Sequence, residues 1–228
     1  MAKSEENKDL LENQEVLAEK VMGVEHWIED NPKTVFGVLG ALILVVGGFF
    51  GYQYWMSSQD DLAQKDMFQA VRYFEADSLN LAMEGDGNNL GFKQIIEDYG
   101  MTDAATLANY YAGAACLKQG KFQLAIYYFE DFKSNDELIQ ARAYSLMGDS
   151  NMELKKYEEA ATYYEKAANY KPNKFFTPTY LMKAGLAFEK SNQKDRAIKA
   201  YQRVIDEYWE STDFQNARKY KARLETNF

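Results

Sequence analysis

Residues 142–167 have the sequence RAYSLMGDSNMELKKYEEAATYYEKA, and this stretch decides the fold because the chain repeats its pattern. A similar stretch precedes it, LANYYAGAACLKQGKFQLAIYYFEDF at 107–132, and another follows it, TYLMKAGLAFEKSNQKDRAIKAYQRV at 179–204. The copies share a glycine, an alanine and an aromatic residue: Gly113, Gly148 and Gly185; Ala125, Ala160 and Ala197; Phe129, Tyr164 and Tyr201. Each series steps by 35 and then 37 residues, a period typical of repeats built from helical hairpins.

The spacing inside each copy has a mechanical cause. Glycine precedes alanine by 12 residues and alanine precedes the aromatic residue by 4, with a polar turn between glycine and alanine. Two helices that cross closely need small side chains at the crossing. A ring one turn after the alanine can then fill the groove toward the next hairpin. The pattern therefore predicts three helix–turn–helix units, and it resembles the tetratricopeptide repeat (TPR).

That resemblance implies an all-α fold. We expect a single N-terminal transmembrane helix followed by a TPR-like α-solenoid of about four helical hairpins. Few prolines and abundant Ala, Leu, Glu and Lys also favour helix. The expected divisions are an acidic amphipathic cytoplasmic leader at 1–33, the transmembrane helix at 34–56, a degenerate N-terminal hairpin at 57–104, three repeats at 105–211 and a C-terminal capping helix at 212–228.

The apolar stretch before the repeats is NPKTVFGVLGALILVVGGFFGYQYWMSSQ, residues 31–59. A cleaved signal is disfavoured, because the preceding residues are acidic and "YQYWMSS" offers a poor cleavage site. Residues 34–55 number 22, and a helix needs about 20 apolar residues to cross a bilayer. Asn31-Pro32 suits a helix start, and Trp27 and Trp55 suit the two interfaces. We predict a retained membrane helix.

The orientation of this helix follows from its flanking charges. Lys20 and Lys33 lie on the N-terminal side, and Lys65 is the only near basic residue on the C-terminal side. The bias favours a cytoplasmic N-terminus. The predicted location is the bacterial inner membrane, single-pass, with the repeats in the periplasm.

Two further features of this region predict contacts. Gly40, Gly47 and Gly51 share one helix face, and Gly47-x-x-x-Gly51 would let another membrane helix approach closely. Glycine is also simply common in membrane helices. The leader has apolar residues at helical spacing among many glutamates, so it is either a solvated helix or a docking helix for a cytoplasmic partner.

No catalytic or cofactor motif stands out. The net charge of −9 disfavours nucleic-acid binding. His26, the only histidine, precedes the membrane helix, and Cys116 lies on an apolar repeat helix, so we expect no catalytic site. There is no P-loop, dinucleotide fingerprint or transition-metal cluster, so no cofactor is expected. Residues 86–97 match a calcium loop in part, but Leu90 replaces a required oxygen ligand.

The TPR resemblance also implies a binding surface, because in such solenoids the first helix of each hairpin lines the concave face. By that register, the expected protein-binding residues are Tyr110, Leu117, Arg142, Asp149, Met152, Met182 and Glu189. Aromatic, Met and charged groups suit an adaptable peptide or protein surface. Some of these side chains would instead pack against the next repeat.

The whole chain resembles the bacterial YfgM family, ancillary subunits of the SecYEG translocon. The likeness rests on the acidic leader, the span ALILVVGGFFGYQYWMSSQ at 41–59 and the helical repeats to the C-terminus. The resemblance implies work with PpiD, a membrane-anchored periplasmic chaperone, on unfolded or peptide segments of exported proteins. The alternative is a scaffold or accessory subunit of another envelope complex, such as outer-membrane protein assembly, cell-wall machinery or a membrane enzyme.

Overall fold

The structure is a computed structural model that describes Met22 and residues 27–226. The leader prediction falls mostly on residues outside this range, as does His26. The helices are α1 (Pro32–Glu75), α2 (Leu79–Glu84), α3 (Phe92–Asp98), α4 (Asp103–Lys118), α5 (Phe122–Asp131), α6 (Glu137–Glu153), α7 (Tyr157–Asn169), α8 (Thr177–Lys190), α9 (Lys194–Glu207) and α10 (Phe214–Glu225). The described residues contain no strand, so the predicted all-α fold is confirmed.

The chain divides into two compact units, Met1–Trp55 and Met56–Phe228. In the first unit, Asn31 precedes α1 and its side-chain amide donates to the carbonyl of Trp27 at 3.0 Å. No residue in the most hydrophobic stretch of α1 is buried, and large apolar side chains such as Leu44 and Val45 are mostly exposed. This helix is long enough and apolar enough to span a membrane. A Cβ added at Gly40, Gly47 or Gly51 would meet nothing within 4 Å, and the helix contact there stays a prediction.

The second unit is built from antiparallel hairpins. Helices α4 and α5, α6 and α7, and α8 and α9 form the three pairs that the repeat predicts. Each pair is joined by a tight turn that holds one residue in the left-handed region, Gly120 (φ 73°), Lys155 (φ 60°) and Asn192 (φ 59°). These residues follow the same steps of 35 and 37 as the repeat, so backbone geometry has the period of the sequence.

The aromatic residue of each copy lies over the glycine of its own hairpin. A Cβ added at Gly113 would lie 2.9 Å from Phe129 Cδ1, and one at Gly148 would lie 2.5 Å from Tyr164 Cε1. The ring also faces the next hairpin in the last copy, where Tyr201 contacts Tyr220 with centroids 5.7 Å apart. The glycine therefore leaves room for the ring, and it also lets the two helices cross closely.

Replacing the middle glycine tests this packing. Gly148→Ala should destabilise the protein by about 1–3 kcal/mol, the usual cost of overpacking a core. The effect should appear although alanine favours helix over glycine by about 1 kcal/mol. Urea unfolding of the detergent-solubilised protein, followed by circular dichroism, gives the measurement. In a Tyr164→Leu background the same change should cost less, and an unchanged cost there would contradict the assignment of the clash to the Tyr164 ring.

The second unit begins with an irregular hairpin. Helix α1 from Met56 forms its first arm, and the second arm is divided into α2 and α3 by residues 85–91. In this loop the Asp86 carboxylate accepts hydrogen bonds from the backbone N–H groups of Asn88 (2.9 Å) and Asn89 (2.7 Å) and from the Tyr73 hydroxyl (2.6 Å). The Tyr73 bond first, and then those from Asn89 and Asn88, hold the pKa of Asp86 well below its usual range. The calcium-like sequence is thus a turn stabilised by its own carboxylate.

Buried apolar side chains form two clusters along the second unit. One runs from Met67 to Met147 and includes Phe92 and Phe129, and the other runs from Ala141 to Ala217 and includes Tyr201. Alanine is frequent in both clusters, which lets the helices approach closely. The two clusters meet at α6, the first helix of the middle hairpin, so α6 couples the two halves of the unit.

Asp136 caps α6 and makes a pH-dependent contribution to the stability of the folded protein. Its carboxylate accepts from the N–H groups of Ile139 (2.9 Å) and Leu138 (2.8 Å), and these bonds hold its pKa below the usual value. A lowered folded-state pKa contributes stability above the unfolded pKa of about 3.9, and this is lost as pH falls through the folded pKa. Asp136→Ala should therefore lower Tm at neutral pH, and the deficit should vanish in acid.

A thermal-unfolding series across pH checks this expectation. Asp136→Asn keeps a capping oxygen without the charge, so at neutral pH its Tm should lie between those of Asp136→Ala and the unmodified protein. A deficit for Asp136→Ala that persists unchanged at acid pH would show that the cap does not depend on the carboxylate.

Candidate functional site

The first helices of the three hairpins border one groove of about 490 Å³. Helices α4, α6 and α8 supply most of its walls, and the residue before α8 completes them. The lining consists of Tyr110, Leu138, Ile139, Arg142, Ser145, Leu146, Asp149, Phe176, Tyr180 and Lys183. The groove therefore combines apolar and charged side chains from successive hairpins.

One wall of the groove carries a paired carboxylate. Asp149 accepts from Lys183 Nζ at 2.8 and 2.9 Å and from the Tyr164 hydroxyl at 2.7 Å. Burial, and next the Asp149 carboxylate, raise the pKa of Tyr164, so this hydroxyl stays protonated and acts as a donor. The network joins α6, α7 and α8, and it fixes the Asp149 and Lys183 charges at the groove surface.

A second charge in the groove has no carboxylate partner. Arg142 is exposed, and the described part of the chain places no carboxylate within ion-pair distance of it. Burial raises the pKa of Tyr110 and of Tyr180, and the Arg142 guanidinium partly opposes both shifts. Both phenols are therefore neutral near Arg142, which leaves this cation available to an anionic group on a ligand.

The apolar wall lies at the start of α6 and α8. Leu138 is 50% exposed and Phe176 is 44% exposed, although both are large apolar side chains. Such surface becomes more stable when a ligand removes it from water. The groove offers apolar contact, the Arg142 cation and the Asp149–Lys183 ion pair.

A comparison with known protein families agrees with the fold. A family model described as a tetratricopeptide repeat-like domain matches residues 25–224. The chain belongs to this family. No curated protein matches the chain significantly. Tetratricopeptide repeat-like domains are typically protein-binding scaffolds without catalytic activity.

Three of the residues expected to bind protein line the groove of this tetratricopeptide repeat-like domain: Tyr110, Arg142 and Asp149. The others lie elsewhere. Leu117 packs against the first apolar cluster, and Met152 and Met182 pack against the second. Glu189 accepts from the Tyr201 hydroxyl at 2.7 Å and also pairs with Arg223. Their part in binding stays a prediction.

Several groove residues were not expected from the sequence, and a simple signal could have found some of them. Leu138 precedes Arg142 by four residues, and Phe176 precedes Tyr180 by four. Residues four apart share a helix face, so extending the predicted face one turn before Arg142 would have included Leu138, whereas Phe176 follows only from Tyr180, which was not expected. Lys183 follows Asp149 by 34 residues, one repeat length, which is where an interrepeat ion pair is expected.

The repeat-like domain offers little for catalysis in its described residues. Cys116 is buried, and burial raises the pKa of its thiol, so it is a poor nucleophile. No group of three or more His, Cys, Asp and Glu residues could hold a metal ion within the part of the chain searched.

Proposed function

We propose that this protein is a non-enzymatic adaptor, anchored by α1 in the bacterial inner membrane, whose groove binds segments of other proteins in the periplasm. The observation that carries the proposal is the groove on α4, α6 and α8, where exposed Leu138 and Phe176 lie beside Arg142, which has no carboxylate within ion-pair distance among the described residues. Membership of a family of protein-binding scaffolds supports the same role. The cytoplasmic N-terminus rests on the flanking charges described above.

In this proposal the protein is an ancillary subunit of the SecYEG translocon and works beside a PpiD-like chaperone. Its ligands are unfolded or peptide segments of exported proteins. This part of the proposal rests on the resemblance to the YfgM family. A site next to the translocon exit would present newly exported segments in extended form, and the groove suits such segments because it mixes apolar and charged contacts. The alternative is a scaffold or accessory subunit of another envelope complex, held by the face of Gly40, Gly47 and Gly51.

Site-specific crosslinking in native membranes tests the ligand and the partner together. A photoreactive amino acid at Leu138 places the probe in the groove, and the same probe at Tyr127, which is exposed on α5, serves as the matched control. We expect Leu138 to capture translocon subunits, a chaperone or exported chains, and Tyr127 not to capture them. Capture of outer-membrane assembly or cell-wall components would favour the alternative. Equal capture at both positions would contradict a binding role for the groove.

Protease protection tests the compartment. In right-side-out vesicles we expect the repeats to be digested and the N-terminal leader to be protected. Digestion of the repeats only in inside-out vesicles would overturn the periplasmic location.

A further inference from the structure

The two edges of the repeat unit differ in character. Each first helix starts, and each second helix ends, at one edge, which we name the loop edge. It consists of the interhairpin loops at residues 99–102, 132–136, 170–176 and 208–213. The opposite edge, which we name the turn edge, consists of the turns within hairpins at residues 119–121, 154–156 and 191–193.

Hydrogen bonds join the second interhairpin loop to the third, and the fourth loop to the start of α8. The Tyr170 hydroxyl donates to the carbonyl of Ser134 at 2.9 Å, which links the second and third loops. The Thr179 hydroxyl donates to the Asp213 carboxylate at 2.8 Å, which ties the start of α8 to the fourth loop. A cavity of about 340 Å³ lies between the third and fourth loops and is lined by Phe175 and Trp209.

The three most exposed large apolar side chains of this unit lie on the loop edge. Phe175 is 74% exposed, Met101 is 70% exposed and Trp209 is 65% exposed. No other large apolar side chain between Met56 and Thr226 is as exposed as these three, and all three lie in interhairpin loops. The turn edge is polar, with Gln119-Gly120-Lys121, Leu154-Lys155-Lys156 and Ser191-Asn192-Gln193, and Leu154 there packs into the first cluster. This asymmetry indicates that the two edges meet different surroundings.

The loop edge is also where the chain enters the repeat unit. The Asp60 carboxylate accepts from the N–H of Ala104, at the start of α4, at 2.8 Å, and the Tyr99 hydroxyl donates to Asp66 at 2.6 Å. The start of α1 within this unit therefore lies against the first interhairpin loop. Asp60 lies five residues after Trp55, the last residue of the unit that carries the apolar segment.

We propose that the loop edge rests on the lipid surface, with Trp209, Phe175 and Met101 inserted among the headgroups. The inference rests on the proposed anchoring of α1 and goes beyond it, because an anchor alone leaves the repeats free of the bilayer. Tryptophan and other aromatic side chains favour the membrane–water interface. A tether this short keeps these side chains at high local concentration near the surface, so a weak intrinsic affinity suffices.

The charges around the aromatic side chains select the type of lipid. Glu207, Glu210 and Asp213 surround Trp209 in the cavity, while Lys174 lies over the Phe175 ring at 5.5 Å. Over the whole loop edge, Lys133, Lys171 and Lys174 are matched by Asp136, Glu210 and Asp213, so anionic headgroups give no net attraction. The expected surface is zwitterionic phospholipid, held by aromatic insertion.

Single-tryptophan variants of the full chain test this contact. The protein has three tryptophans, Trp27, Trp55 and Trp209. Trp27→Phe with Trp55→Phe leaves Trp209 as the only emitter. In nanodiscs of phosphatidylcholine brominated high on the acyl chains, we expect its emission to be quenched relative to unbrominated nanodiscs, and its accessibility to acrylamide to be low. Adding phosphatidylglycerol should not increase the quenching.

Two controls separate the possible failures. Asp195 is exposed in the first turn of α9, at the turn edge, so Asp195→Trp in a background without native tryptophans should be open to acrylamide and not quenched by lipid. A variant that keeps only Trp55 reports the anchor. Quenching of Trp55 without quenching of Trp209 would overturn the lipid contact and leave the anchored adaptor intact. Absence of quenching at both would overturn the contact and the anchor together. Circular dichroism of each variant confirms that it is folded.

Discussion

Val45→Lys with Phe49→Lys should release the protein from the membrane. The eleven Val, Leu, Ile and Phe residues between 35 and 55 favour insertion by about 3–7 kcal/mol. A lysine at the centre of a span costs about 2.5–3.5 kcal/mol, and each replacement also removes an apolar contribution. Together the two changes oppose insertion by about 6–8 kcal/mol, which cancels or exceeds the whole driving force. The protein should then leave the pellet when membranes are washed with alkaline carbonate.

The matched control is Val45→Leu with Phe49→Leu, which keeps both positions apolar and should remain in the pellet. Both side chains are exposed on α1, and the ring contact between Phe49 and Phe50, with centroids 5.7 Å apart, is lost in both variants. Retention of the lysine variant in washed membranes would show that α1 does not hold the protein by spanning the bilayer.

The largest effect expected within the repeats comes from Tyr201→Ala. Tyr201 is fully buried, lies over Gly185, contacts the Tyr220 ring and donates its hydroxyl to Glu189 at 2.7 Å. Removing a buried aromatic side chain of this size should lower the free energy of unfolding by about 3–5 kcal/mol, because transfer and cavity costs add. Since native domains are stable by only about 5–15 kcal/mol, this loss would remove a large share of the free energy of unfolding.

Tyr201→Phe separates packing from hydrogen bonding. It keeps the ring on Gly185 and removes only the hydroxyl, while Glu189 retains Arg223 as a partner. We expect a loss of about 0.5–1.5 kcal/mol, the usual net value of one hydrogen bond. Urea unfolding with circular dichroism measures both variants. Similar losses for the two would contradict the view that the ring, and not the hydroxyl, holds the hairpins together.

The repeated hairpins could be predicted because their packing depends on residue size at fixed spacing. Gly148 and Tyr164 must be a glycine and a ring, since a Cβ at 148 would lie 2.5 Å from the ring. Such a constraint leaves a trace in each copy and is therefore visible in one sequence. The apolar helix α1 was visible for a similar reason, because a helix that can span a bilayer needs an unbroken apolar segment of about 20 residues.

The groove was less predictable because one helix surface serves two purposes. The first helix of a hairpin faces both the groove and the apolar clusters. Of two side chains only one turn apart, one can line the groove while the other packs in a cluster. Arg142 and Asp149 face the groove, whereas Met152 packs inside. Glu189 lies one turn after Gly185, and its partners Tyr201 and Arg223 come from later helices. Which face a side chain takes depends on crossing angles, and these have no simple trace in residue type.

Side-chain bonds between hairpins recur at one repeat length. Lys183 pairs with Asp149, Arg203 donates to Asn169 at 2.6 Å, and Arg223 pairs with Glu189, each across 34 residues. Each of these bonds connects a repeat helix only to the hairpin before it, so the hairpins can unfold one after another from the C-terminal side. A carboxypeptidase or a pulling force applied at the C-terminus would therefore unfold one hairpin at a time. Limited digestion would then leave a ladder of products about one hairpin apart, and not a single resistant fragment.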